Sequence, residues 1–408
     1  MLWALTGISA AEPYVPARDD EVLERLPASG GERRELRQLR AELGRNPGDR
    51  RLALALARRY IALGRADSDP RYYGYAEAVL SPWLEPRDPW PEALMLRATV
   101  LQNRHAFEPA LADLDEALRN NPRLAQAWLV RASIQEVRGD YPGALRSCLA
   151  LAKLGESLAS AVCLNSALSL SGQAESAYAR LAAALKDAVG EPEERLWAWT
   201  TLGEMAERLG RPAAAEEAYR AALALGLRSA YLLATYADFL LDQDRAAEAA
   251  ALLENETRAD PLLLRLTLAE QRLRHPRFAA HAADLKARFE ASRLRKDATH
   301  QSDEARYALH IERNAAEALR LALANWSVQR EPRDARLLLE AARAAGRPEA
   351  AAPVLEFLTR TRLEDARLAP LLTDLRGRAL PAIQSQTAWP GAPIKSFPET
   401  PVMTGGGS

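Results

Sequence analysis

Lysine is almost missing from this chain. It occurs five times in 408 residues, as Lys153, Lys186, Lys286, Lys296 and Lys395, and arginine carries the rest of the positive charge. With 54 basic and 55 acidic residues the net charge is -1. The basic excess of a general nucleic-acid binder is absent, so no nucleic-acid partner is expected. No apolar run approaches the ~20 residues of a membrane-spanning helix, so no integral span is expected either. Aromatic residues are only 6% of the chain against 48% apolar overall. A core must then be made mostly of Ala and Leu, which suits packed helices.

The motifs that usually carry chemistry are missing too. There is no Gly-rich phosphate loop, no Gly-x-Ser-x-Gly elbow and no His-Glu-x-x-His helix. His300 and Glu304 stand at i, i+4 with His310 further on, a spacing that can place two metal ligands on one helix face. No third or fourth ligand stands nearby. The sequence predicts no enzyme, no cofactor and no metal site.

What the chain does have is alanine at a fixed interval. Ala76, Ala110, Ala144, Ala177, Ala215, Ala249, Ala318 and Ala351 follow at gaps of 34, 34, 33, 38, 34, 69 and 33 residues. The longest gap reads as two intervals, with a degenerate unit that has Ala282 or Ala283 at this place. Four residues after each alanine come Leu80, Leu114, Cys148, Leu181, Tyr219, Leu253, Ala322 and Leu355, one turn along the same helical face. The clearest unit is Leu196 to Leu227, LWAWTTLGEMAERLGRPAAAEEAYRAALALGL. Trp199, Leu202 and Ala206 recur at helical spacing. Gly210-Arg211-Pro212 then stops the helix, and Ala215, Tyr219 and Ala222 mark the buried face of a second one.

This order of residues resembles the tetratricopeptide repeat, a 34-residue helix–turn–helix unit. The resemblance covers about Arg50 to Leu363. It implies an all-α, right-handed α-solenoid of about eight to nine helix hairpins with capping helices, in which alanine allows close helix crossing. It also implies a concave face, lined by first helices, that binds a protein or peptide. The chaperone-docking subclass holds a C-terminal carboxylate with a Lys in the first helix. Here Met95, Leu129, Val162, Thr200 and Ala234 stand at those places, so that subclass is not expected.

Along the chain, residues 1–11 (MLWALTGISAA) resemble the back half of a secretory signal peptide without its charged start. Residues 12–48 read as a loop and a capping helix, and 49–376 as the superhelix, with a degenerate unit around 262–296. The Arg65–Tyr73 stretch reads as a lengthened turn. Residues 377–408 are Pro-rich and aperiodic, and read as a disordered tail. Cys148 and Cys163 lie about equally far from a turn near Gly155, so they should be neighbours across one hairpin, and in an exported protein a disulfide between them is plausible.

Reading the repeat's groove-facing places gives Gln102, Asn103, Glu136, Trp197, Glu204, Glu207, Arg208, Tyr231, Asp238 and Asp242 among others. Carboxylates outnumber the single Arg, and Trp197 and Tyr231 add large contact surfaces. The expectation is a non-enzymatic scaffold of a bacterial envelope, periplasmic or secreted, whose groove takes a segment carrying Lys or Arg and an apolar anchor. A cytoplasmic regulator, or an accessory subunit of an envelope enzyme or transporter, stays open.

Overall fold

The computed structural model describes residues 31–84, 89–155, 157–186, 190–295 and 301–375. The proposed signal remnant and the Pro-rich tail lie outside them. Nineteen α-helices follow one another, and no strand occurs among the described residues. A first helix, α1 (Gly31–Arg45), caps the array. Hairpins then follow: α2 (Arg50–Asp67) with α3 (Arg71–Leu80), α4 (Pro91–Asn103) with α5 (Phe107–Asn120), and α6 (Ala125–Val137) with α7 (Tyr141–Ala152). Next come α8 (Leu158–Ser169) with α9 (Ala174–Lys186), α10 (Pro192–Arg208) with α11 (Pro212–Leu223), and α12 (Ala230–Asp242) with α13 (Ala246–Leu253). The array continues with α14 (Asp260–Leu273) and α15 (Phe278–Leu294), α16 (Gln301–His310) and α17 (Ala315–Val328), and α18 (Pro332–Ala344) and α19 (Ala352–Thr361). A short 3-10 turn, Ala366–Leu368, leads into a final helical stretch at 369–375.

The alanine interval is the packing rule of these hairpins. All eight ladder alanines are 0% exposed. The residue one turn later is fully covered in most units, including Leu80, Leu114, Cys148, Leu181, Tyr219 and Leu253. A small side chain at the crossing brings the axes together, and the larger one beside it fills the space that opens. In the α10–α11 hairpin the ring of Tyr219 lies directly on Gly203, where a Cβ would come within 2.5 Å of it. That close approach is why glycine follows leucine in the signature.

Two local expectations are corrected. The Arg65–Tyr73 stretch is not a long loop: α2 runs on to Asp67, leaving only Ser68, Asp69 and Pro70 before α3. Ser68 takes a left-handed conformation (φ 51°) to end the helix. In the degenerate unit neither Ala282 nor Ala283 is the crossing residue. Ala283 is exposed, and α15 turns Leu285 and Phe289 inward instead. A bulkier pair needs a different rotation of the helix, and the alanine signal is lost with it.

The array coils tightly enough to meet itself. The α11–α12 turn reaches the end of α2, where Arg228 Nε donates to Asp67 Oδ1 at 2.6 Å. Further on, the last hairpin folds back across the units from α6 to α12. Its core of Trp326, Leu338, Val354 and Phe357 incorporates Tyr141 and Leu170 from those earlier units.

Candidate functional site: a self-complementary groove

The first helices of successive hairpins are joined side by side by a ladder of polar side chains. Gln102 Nε2 donates to Ser133 Oγ (2.8 Å), Ser166 Oγ to Glu136 Oε2 (3.1 Å), Arg208 to Ser169 Oγ (2.7 Å) and Tyr231 Oη to Glu204 Oε1 (2.5 Å). Each rung links one helix to the next, so the repeat's inward-facing places do line one continuous surface. Asn103 is the exception, since its amide turns back to Thr99 O (2.8 Å) on its own helix. Trp197 is half-buried and packs between two hydrophobic clusters around α8 and α10.

Further along, the carboxylates meet arginines of the same chain. Asp238 is held by Arg265 (3.0 Å) and Arg306 (2.6 Å), and Arg265 also reaches Asp303 (2.8 Å). Those guanidiniums outweigh the effect of burial and hold the Asp238 carboxyl below its usual range. Asp242 is gripped by both terminal nitrogens of Arg336, one at 2.9 Å. Glu207 accepts from Arg367 Nη1 at 2.8 Å and from the Tyr219 hydroxyl. Arg333 lies over the ring of Tyr231, 5.7 Å from its centroid.

Arg265 on α14 and Arg306 on α16 belong to the units stacked after α12, whereas Arg333, Arg336 and Arg367 come from the fold-back, which forms a seam along one edge of the array. Arg330 N donates to Val137 O at 2.7 Å, so the seam begins at the end of α6. Phe357 then stacks edge-on against Tyr141, centroids 5.8 Å apart. Gly139, Gly172 and Gly210, the turn glycines of three consecutive hairpins, face Phe357, Arg362 and Ala366 respectively. Between them Glu364 accepts from Ala174 N at 3.3 Å. One segment of the C-terminal unit thus tracks three successive turns of the N-terminal half.

Sequence reasoning found the acidic side of this surface and missed the basic side. The signal was present. In the last hairpin, places 2 and 5 of the first helix are Arg333 and Arg336, the same groove-facing places read in the earlier units. The groove is acidic in its first half and basic in its last unit, and the two halves meet.

The cysteines are neighbours as the spacing requires. Cys148 on α7 and Cys163 on α8 have Cα atoms 5.5 Å apart and their sulfurs are joined. Cα atoms lie about 2.3 Å off each helix axis, so ordinary packing with axes ~8–10 Å apart already brings facing cysteines within bonding reach. Thiol titration of native protein without reductant should find no free thiol. Reduction should cost about 3 kcal/mol of stability, the value for a closed loop of about 15 residues. A full complement of free thiols would remove the bond. Of the weaker candidates, Glu304 is engaged by Arg293, and His300 lies outside the described residues.

Repeated hairpins, alanine crossings and a polar first-helix face define an all-α solenoid whose units resemble tetratricopeptide repeats. No protein-family model and no curated sequence matches the chain. Solved structures with a similar fold include the APC/C hetero-tetramer Cut9-Hcn1 (16% identity, TM-score 0.45), covering 76% of this chain and 58% of that one. A tetratricopeptide repeat protein from Parabacteroides merdae matches at 16% identity and TM-score 0.37, over 62% and 98% of the two chains. Human IFIT1, solved as a dimer with m7Gppp-AAAA, matches at 15% identity and TM-score 0.47, over 87% of each. This chain therefore spans less than two thirds of the length of the first of these.

Proposed function

We propose that the protein is a non-enzymatic binding scaffold of a bacterial envelope whose groove takes a protein segment bearing arginine and an apolar anchor. One observation carries the reading. Above Glu204, the ring of Tyr231 is 45% exposed and already holds the guanidinium of Arg333. An exposed aromatic beside a carboxylate is a seat for a flat cation, which can stack and pair at once. Trp197 supplies apolar surface for the anchor. The joined cysteines and the apolar run at residues 1–11 support an oxidising, extracytoplasmic setting.

The test begins by placing a photocrosslinker at Tyr231 to identify the bound segment. Titration of that segment should then weaken ~10-fold or more in Glu204→Gln with Tyr231→Ala, equivalent to about 1.4 kcal/mol. Its association should slow as salt rises, since surface charge steers encounter. A partner that binds both variants equally, with no salt effect, would place recognition elsewhere on the solenoid.

A further inference from the structure

The groove described above is not empty. Its own C-terminal unit provides what the groove is suited to recognise: two arginines one helical turn apart, Arg333 and Arg336, a third at Arg367, and an aromatic anchor, Phe357. Arg333 takes the Tyr231 seat, Arg336 takes Asp242 and Arg367 takes Glu207. Phe357 lies on Gly139 and Tyr141. We propose that the segment from Arg330 to Arg367 is the groove's resident occupant, and that an arginine-bearing partner binds only by displacing it. This inference rests on the binding role assigned to the groove.

Three features make the occupant displaceable. Its tie to the groove is largely ionic and hydrogen-bonded, and Arg336 and Arg367 keep roughly a third of their side-chain surface in solvent. The part-exposed Arg336–Asp242 pair holds a geometry without adding much net stability, and the Arg367–Glu207 pair, with its carboxylate buried, is the firmer tie. The apolar part of the seam is narrow, with Tyr141 and Leu170 joining a core that is otherwise made within the C-terminal hairpins. Those hairpins would keep their own packing when the seam opens. A solenoid also opens by small rotations shared between neighbouring units, so no single hinge has to break. The partner gains the contacts that the resident segment gives up, so the exchange replaces like with like.

The experiment uses the full chain carrying Arg336→Glu with Arg367→Glu, which sets carboxylate against carboxylate at Asp242 and Glu207. The probe is a fluorescent synthetic peptide of residues 329–347. The variant is expected to show a larger radius of gyration by small-angle scattering, with unchanged helical circular dichroism. It should bind the peptide at least ~10-fold more tightly than the unsubstituted chain. Should charge reversal reduce helicity, Arg336→Ala with Arg367→Ala makes the same comparison more gently. If both forms bind the peptide and the expanded variant binds it no better than the unsubstituted chain, the occupancy is overturned and the groove's binding role stands. A variant that stays compact and closed to the peptide also overturns it. If the variant expands and neither form binds, the occupancy and the groove's binding role fall together.

Discussion

Gly139→Ala should destabilise the protein by roughly 2–5 kcal/mol, whereas Gly346→Ala at the matching turn of the last hairpin should cost only about 1–2. Both glycines have positive φ, 74° and 65°. Any residue with a Cβ pays for that left-handed conformation, roughly 1–2 kcal/mol. Only at Gly139 is the space taken: a Cβ there would stand 2.5 Å from the ring of Phe357, and nothing lies within 4 Å at Gly346. Overpacking adds roughly 1–3 kcal/mol. Denaturant unfolding of the two variants isolates the seam from the backbone term. Equal losses would mean that Phe357 does not sit on this turn in solution.

Stability should fall as pH rises from about 4 to 8. Burial pushes the Asp334 carboxyl up to about 7, and the neighbouring Glu331 carboxylate adds to the effect, against Arg333, the Glu331 backbone N–H and the Ser302 hydroxyl. Burial likewise pushes Glu136 up to about 8, with Ser166 and Arg208 opposing and Glu331 and Glu204 reinforcing. Both raised carboxyls keep their protons in the folded chain at pH values where the unfolded chain has lost them. The folded state thus binds more protons over that range, so stability declines from the unfolded carboxylate values upward and levels off once the folded groups ionise. Asp334 is almost wholly buried, and its three-unit rise sets a loss on the order of 2–4 kcal/mol. Glu136 keeps part of its surface in solvent and contributes less than full burial would. At the acid end the sign reverses. Burial would raise Glu340 as well, but His310 and Arg336 outweigh it and hold that carboxyl at about 2. Its stabilisation is lost as pH falls below the unfolded value. Melting temperatures should therefore peak near about pH 4. Asp334→Asn with Glu136→Gln should flatten the alkaline slope, and an unchanged slope would assign it to other groups.

The first effect arises at a seam that the repeat pattern does not encode. Nearest-neighbour stacking is legible because each hairpin meets the next through the same places, so one alanine interval predicts eight buried crossings. The pairing of Cys148 with Cys163 is legible for the same reason, since one turn separates them. The seam joins units that are three to six hairpins apart. No periodicity relates Gly139 to Phe357 or Glu207 to Arg367. The groove's acidic side follows from the consensus places of the early units. Its basic side follows only when those same places are read in the last one, where Arg333 and Arg336 appear. The degenerate unit was hard to place because Leu285 and Phe289 replace the small residue on which the alignment depends.

The seam also sets an order of events during synthesis. Ala174 and Glu364 are 190 residues apart. At a bacterial or eukaryotic elongation rate of roughly 5–20 residues per second, the turns at Gly139, Gly172 and Gly210 are made roughly 10–40 s before the segment that covers them. Over that interval the early hairpins can stack on one another, because their neighbours already exist, while their acidic groove and turn edge stand open. A chain in that state exposes its acidic face before its own C-terminus can reach it, so the seam is the last long-range contact to form.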